Sequence, residues 1–322
     1  MKYNRLILGF GLLFHTTPAG ARPAPGTAAA VNLVISVDWE GDALTPGNLK
    51  AVKQFRAKNP DIKIVHFLNA AYFTKPGARA GTVAAAMRSV LKEGDQLGLH
   101  LHGWESLFTQ TGAPYRDSPS FWYENGSGSA ATDGADRGWD IMISAYTVDE
   151  LRSVLRYSLG VLRKNGFDGI KAFRAGGWTA APNVLEALEL EGFKQESSAV
   201  TVPLIEREAG DRPIYPYLSQ LWPDINIRSL PYTISAGAGH LTEFPDTFAL
   251  ADYVTGAEAA GLYKRLAASK TGQKELYVHY GFHIETAALY LDRVQEAVSG
   301  IKAQAAASGR NLRSVVFDDL NP

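Results

Sequence analysis

The sequence contains no cysteine. That excludes a disulfide framework, a thiolate nucleophile and any cysteine-based zinc site, and it leaves the chain indifferent to the redox state of its compartment. An excess of one charge is also missing: 32 Lys and Arg stand against 33 Asp and Glu, a formal net charge of -1. With no cluster of basic residues, a nucleic-acid polyanion is ruled out as the main partner. No segment approaches the ~20 consecutive apolar residues that a stable membrane span requires, and no internal repeat is visible.

What is present is an ordinary globular composition, 46% hydrophobic and 20% charged over 322 residues, enough for two average domains or one large barrel. Lys2 and Arg5 precede an apolar run over residues 6–14, and Ala19-Gly20-Ala21 follows. This is the layout of a secretory signal over residues 1–21, cut near Ala21 or as late as Ala30, and it predicts a secreted or periplasmic protein. Residues 22–30 then read as a linker, and residues 31–322 as a single domain.

Within that domain, short apolar runs alternate with amphipathic segments. Residues 31–37, 62–68, 96–102, 169–173, 193–198, 275–283 and 312–317 read as strands. Residues 46–58, 82–92, 147–164, 183–191, 256–270 and 287–307 read as helices, the third capped by Thr147 with Asp149 and Glu150 in its first turn. Such alternation predicts parallel strands in an α/β architecture of about seven strand–helix units. Residues 109–144 and 203–245 break the rhythm and read as long insertions. A loop of that length inside a compact domain is usually functional or disordered, and the aromatics of the first could face sugar rings or serve the loop's own packing.

The chemistry concentrates in two stretches. In Gln96-Leu97-Gly98-Leu99-His100-Leu101-His102-Gly103-Trp104, strand alternation puts His100 and His102 on one face. Two imidazoles make half a metal site, and a catalytic zinc usually takes three protein ligands. The third candidate lies in Val37-Asp38-Trp39-Glu40, where two carboxylates repeat the same spacing at the end of an apolar run. Arg174 and the pair His279 and His283 also fall at strand ends. Active sites of parallel α/β folds sit at that end of the sheet.

The order of these features resembles the polysaccharide deacetylases, the NodB-homology or family 4 carbohydrate esterases. It comprises an acid-bearing strand end, the Gly-Leu-His segment, Phe173-Arg174-Ala175-Gly176-Gly177-Trp178 with a following helix and Gly192-Phe193, and a late strand with His279. The resemblance covers most of residues 31–320. It implies a deformed (β/α)7-type barrel and a hydrolase that removes acetyl groups from an acetylated polysaccharide with a divalent metal, zinc by preference. It implies Asp38 as general base, Glu40, His100 and His102 as metal ligands, Arg174 as the group that orients the base, and His279 as general acid. Here Trp39 separates the two acids, and the metal histidines are two residues apart where the family places them four apart. Trp39, Trp104, Trp178 and His283 are expected to contact substrate, His283 alternatively being a core residue.

Two other functions fit the sequence. One is a glycoside hydrolase pairing Asp38 or Glu40 with Glu243; the other is a glycan-binding barrel without catalysis. His66 and Asn69 read as packed residues near the site, Glu243 as structural if it is not an acid catalyst, and Asp318 and Asp319 as solvated.

Overall fold

The computed structural model describes residues 29–124, 128, 136–269 and 274–320. The proposed signal segment and nearly all of the linker lie outside these residues, as does most of the Gly- and Ser-rich part of the first insertion.

The first strand organises the sheet. All nine residues of β1 (Ala30–Asp38) are buried, as expected for a strand with neighbours along both edges and cover on both faces. After β1 come α1 (Pro46–Lys58), β2 (Ile64–Leu68), α2 (Ala80–Arg88), β3 (Gln96–Leu101) and the single turn α3 (Glu105–Phe108). The first insertion leads to α4 (Val148–Lys164), whose start is fixed as expected by a capping box between Thr147 and Glu150. Then follow β4 (Ala172–Ala175), α5 (Pro182–Leu190) and the two-residue β5 (Gln195–Glu196). The second insertion carries the short helices α6 (Glu206–Ala209) and α7 (Ile214–Leu221), and a hairpin of β6 (Tyr232–Ala236) with β7 (Gly239–Glu243). The chain closes with α8 (Gly256–Ser269), β8 (Glu275–His283), α9 (Ala287–Ala307) and β9 (Asn311–Ser314).

The sheet runs β6-β7-β5-β4-β3-β2-β1-β8, and β9 pairs with β1 beside β2. Apart from the β6–β7 hairpin, these pairs are parallel. The result is a curled, mostly parallel half-barrel wrapped by helices, a deformed (β/α) barrel as expected. The hairpin was not legible in the irregular composition of residues 203–245.

The interior of the curl is a separate apolar cluster that includes Val34, Phe67, Ala172, Phe244 and Phe317. Phe317 stacks on Phe244 at 4.2 Å between centroids and meets Phe67 and His279 at its edges. The residues after β9 therefore turn inward and stopper the N-terminal end of the barrel, where the sequence suggested a strand to Phe317. Asp319 is tied to Lys63 at 2.8 Å, and Asp318 accepts from Gln195 at 2.8 Å.

Candidate active site

Register decides which side chains meet. Asp38 is the β-partner of His283 on β8, and His100 is the β-partner of Arg174 on β4. The C-terminal ends of β1, β3, β4 and β8 thus open onto one rim, and Asp38, Glu40, His100, His102, Trp178 and His283 line one cavity there.

The ligating atoms of Glu40, His100 and His102 lie within 4.8 Å of one another. His100 Nε2 is 3.1 Å from Glu40 Oε1, His102 Nε2 is 2.9 Å from Glu40 Oε2, and the two Nε2 atoms are 3.1 Å apart. The far side of each ring is fixed by the backbone: His100 Nδ1 donates to the Arg174 carbonyl at 2.9 Å, and His102 Nδ1 donates to the Trp139 carbonyl. With Nδ1 of each ring committed to a carbonyl, both Nε2 atoms point together with a carboxylate at one place, and loss of the Nε2 proton on binding a cation would free their lone pairs for it. Carbonyl-oriented imidazoles of this kind are the usual setting of a metal-ligating histidine, so the donor set fits a divalent cation. Burial works to raise the Glu40 carboxyl, but the charges of His102 and His283 and the hydrogen bonds of His100 and His102 hold it well below the ordinary range.

Two glycines make this packing possible. A Cβ on Gly176 would stand 2.5 Å from His102 Nδ1, so the ring occupies the space a side chain would need. Gly41 has φ +84°, and a Cβ there would strike Asn69 and the Trp104 indole.

Arg174 lies directly beneath. Its fork donates from Nε to the Ser197 carbonyl at 2.8 Å, from Nη1 to Ser36 Oγ at 3.1 Å and Asp38 Oδ1 at 2.9 Å, and from Nη2 to Ser197 Oγ at 2.9 Å and His279 Nε2 at 3.1 Å. All five donors of the guanidinium have acceptors, and Asp38 is held by a buried charge-assisted bond.

The late histidines stand at different heights on β8. His279 and His283 both face inward, but four residues of strand separate them by roughly 13 Å along β8. His279 is fully buried at the level of Arg174 and Phe317 and does not line the cavity. Burial, reinforced by the Arg174 charge, pushes its imidazole well below the ordinary value. It is an acceptor for Arg174, which corrects its expected position as the general acid. His283 stands at the rim, with Nδ1 3.1 Å from Asp252 and Nε2 3.5 Å from Glu40. Burial works to lower it, and the charges of Asp252 and Glu40 more than reverse this, leaving it well above the ordinary imidazole range.

Two of the expected substrate contacts lie behind the site. Trp39 follows Asp38 on the opposite strand face, is fully buried, and donates from Nε1 to His66 Nδ1 at 3.3 Å. The Trp104 indole is buried and donates to the Glu40 carbonyl at 2.7 Å. Trp104 thereby holds the Glu40 loop from beneath. His66 is a core residue, 3.3 Å from Asp95, and Asn69 donates to the Glu40 carbonyl at 3.0 Å. Glu243 is buried beside Glu196 and accepts from the Ala199 amide at 2.9 Å, away from the cavity. Burial and the Glu196 charge push its carboxyl well above the ordinary value.

Sequence reading missed three acids. Asp252 orients His283. Glu285 accepts the Glu40 and Asp42 amides at 3.1 and 3.4 Å and the Tyr72 hydroxyl. Asp246, 3.8 Å from Arg174 and bonded to the Trp178 indole, is pushed by burial up to about 7. None sits in a recognisable pattern; Asp252 stands alone among the apolar residues of 248–254.

No protein-family model and no curated protein matches the chain. Solved structures do match it, at low identity. A protein assigned as a polysaccharide deacetylase of Mycobacterium smegmatis is 13% identical, with 94% of this chain and 92% of that one aligned at a TM-score of 0.50. PuuE allantoinase is 13% identical over 93% of each chain at 0.51. The chitin deacetylase of Colletotrichum lindemuthianum is 12% identical over 94% of this chain and 96% of that one, at 0.45. The first two likenesses establish a shared fold, the deformed barrel expected from the resemblance to NodB-homology proteins.

Proposed function

We propose that the chain is a metal-dependent hydrolase that removes acetyl groups from a polysaccharide. The observation that carries this reading is the convergence of the Glu40 carboxylate with the Nε2 atoms of two imidazoles, flanked by Asp38 on Arg174 and by His283 on Asp252. Glu40, His100 and His102 would hold the cation. Zinc suits a site of two imidazoles and one carboxylate. When bound, such a cation supplies Lewis-acid polarisation of the acetyl carbonyl and a lowered pKa for water.

The chain's own residues supply the rest. Asp38, fixed by Arg174, takes the proton from the attacking water as its oxygen bonds to the acetyl carbon. His283, its Nδ1 facing Asp252, gives a proton to the leaving nitrogen or oxygen as its bond to that carbon breaks. The products are acetate and a free amine or hydroxyl. This reading assigns the acid role to His283 in place of His279, because a general acid must be within reach of the atom it protonates.

Two observations speak against a glycosidase. Glu243 lies outside the cavity, and it is engaged with Glu196 and the Ala199 amide, so the paired carboxylates lose their second member. The reading also takes residues 1–21 as an export signal, which suits an enzyme acting on an extracellular glycan. Among the described residues no helix is long and apolar enough to cross a membrane.

Elemental analysis of the purified protein beside a His100→Ala/His102→Ala variant tests the metal, and acetate release from acetylated glycans tests the reaction. About one cation per chain, lost in the variant, with acetate production abolished by Asp38→Asn, is the expected result. Glycan binding with no turnover and no metal would replace this reading with a non-catalytic glycan-binding barrel.

A further inference from the structure

The cation site of Glu40, His100 and His102 has a neighbour. Ligating atoms of Asp38, Glu40 and His283 also lie within 4.8 Å of one another, where the adjacent strands β1 and β8 run out. Glu40 belongs to both sets. Its Oε1 is 3.1 Å from His100 Nε2 and 3.5 Å from His283 Nε2, while its Oε2 is 2.9 Å from His102 Nε2. An ionised carboxylate offers about four lone-pair sites over its two oxygens, so one group can bridge two cations, as in centres where a pair of metals stands ~3.5–4 Å apart.

His283 is oriented as a ligand would be. Its Nδ1 faces the Asp252 carboxylate at 3.1 Å, which turns Nε2 toward Glu40, and an imidazole whose second nitrogen meets a carboxylate is a usual metal ligand. Asp252 is held in turn, accepting from the Thr286 hydroxyl at 2.7 Å. Asp38 meets Arg174 through Oδ1, and a carboxylate can ligate through a single oxygen. One imidazole and two carboxylates make up the three protein donors that zinc takes at an open site. This second set is the poorer one, because Asp38 already answers the Arg174 charge and Glu40 is shared. It therefore fills after the first.

We propose, on the footing that the chain is a deacetylase, that Asp38, Glu40 and His283 form a second, weaker site for a divalent cation, and that filling it switches catalysis off. Asp38 and His283 are the base and the acid of the reaction, and neither can serve while it ligates. The Asp38 lone pair given to the cation is no longer open to the proton of the attacking water, and the other oxygen is bonded to Arg174. His283 Nε2 releases its proton to solvent when it binds the cation, and has none to hand to the leaving group. Activity rises as the first site fills and falls as the second does, which confines the enzyme to a window of free zinc.

The test titrates the purified full chain with zinc in chelator buffers. At each level, elemental analysis reads bound zinc, and acetate release is measured from N-acetylated chitopentaose and from p-nitrophenyl acetate. Two steps are expected, to about one and then about two cations per chain, with acetate release gained over the first and lost over the second. His283→Gln is expected to keep the first step and lose the second. Asp252→Asn leaves every proposed ligand in place and is expected to move the second step to about 10–100-fold higher zinc without moving the first. A single step, a second step that leaves acetate release intact, or a second step unmoved in either variant would overturn the proposal. The two levels of the argument fail differently. One step with acetate released at every zinc level above it leaves the deacetylase standing and removes the second site; no hydrolysis of either substrate at any zinc level removes the deacetylase reading and the switch with it.

Discussion

Replacing Gly176 with alanine adds one methyl group, and the structure says where it goes. The new carbon would lie 2.5 Å from Nδ1, 2.6 Å from Cε1 and 2.7 Å from Cγ of His102, whereas carbon contacts settle near 3.5–4.0 Å. Gly176 is not among the residues with positive φ, so the backbone accepts alanine and the imidazole must yield by roughly 1 Å. A ligand displaced that far leaves the ±0.2 Å window of a metal site, and the ring also loses its hydrogen bond to the Trp139 carbonyl. Loss of an orienting partner lowers metal affinity about 10–100-fold, and loss of the ligand position itself should reach at least the upper end of that range. Overpacking adds about 1–3 kcal/mol of destabilisation, which for a chain of this size lowers the melting temperature by several degrees. Chelator competition for zinc, run beside calorimetry of the metal-free protein, measures the two effects separately. Zinc affinity equal to that of the unmodified protein would refute the reasoning, because it would mean that His102 either moves freely or does not hold the cation.

Other expectations follow from the same coordinates. Gly160→Ala, in mid-helix with nothing within 4 Å of the new Cβ, should stabilise the fold by about 0.5–1 kcal/mol, and a loss in urea titration would contradict the open space assigned there. Arg174→Met removes one partner of a buried ion pair and should cost about 3–5 kcal/mol of unfolding free energy; a cost below about 1 kcal/mol would show that Asp38 finds another partner. Because the folded His279 ring resists protonation, the unfolded chain takes up a proton below about pH 6.5 that the folded chain refuses. The stability advantage of the unmodified protein over His279→Gln should therefore shrink as pH falls from about 7 to about 5, and a constant gap in urea midpoints would show that the buried ring is not neutral. Glu285→Ala releases the Glu40 and Asp42 amides and should weaken zinc binding about tenfold, read by the same chelator competition.

Much of this was legible because strand alternation is a strong local rule. It placed His100 with His102 and Asp38 with Glu40 from sequence alone, though the same rule was not carried through to Trp39, which was expected to contact substrate and lies buried on the opposite face. The helices over residues 147–164 and 287–307 were equally plain, since caps and apolar spacing agree in the first and apolar spacing persists through the second. What could not be read was height along the barrel. His279 and His283 have the same inward parity, and only the pairing of Asp38 with His283 shows which of them reaches the rim. Asp252 and Glu285 were hidden for a related reason: they act through tertiary contacts with His283 and the Glu40 loop and carry no local pattern. The strand expected over residues 169–173 begins at Ala172, after Gly169 at φ +75°, so Arg174 lies inside the strand, with its fork directed into the barrel.

The Phe317 stopper has a consequence for how the chain is made. β1 is among the first described segments to leave the ribosome, yet one edge waits for β8 and part of the other for β9, partners that are about 245 and 281 residues later in the register. At ~5–20 residues per second, synthesis of the intervening chain takes on the order of 10–60 s. Throughout that time a nine-residue apolar strand has lateral partners still to come, and the barrel interior lacks the ring that fills its base. Unpaired strand edges of this kind seek any available backbone, so the nascent chain has most need of a holding chaperone at its first strand, and its last aromatic residue ends that need.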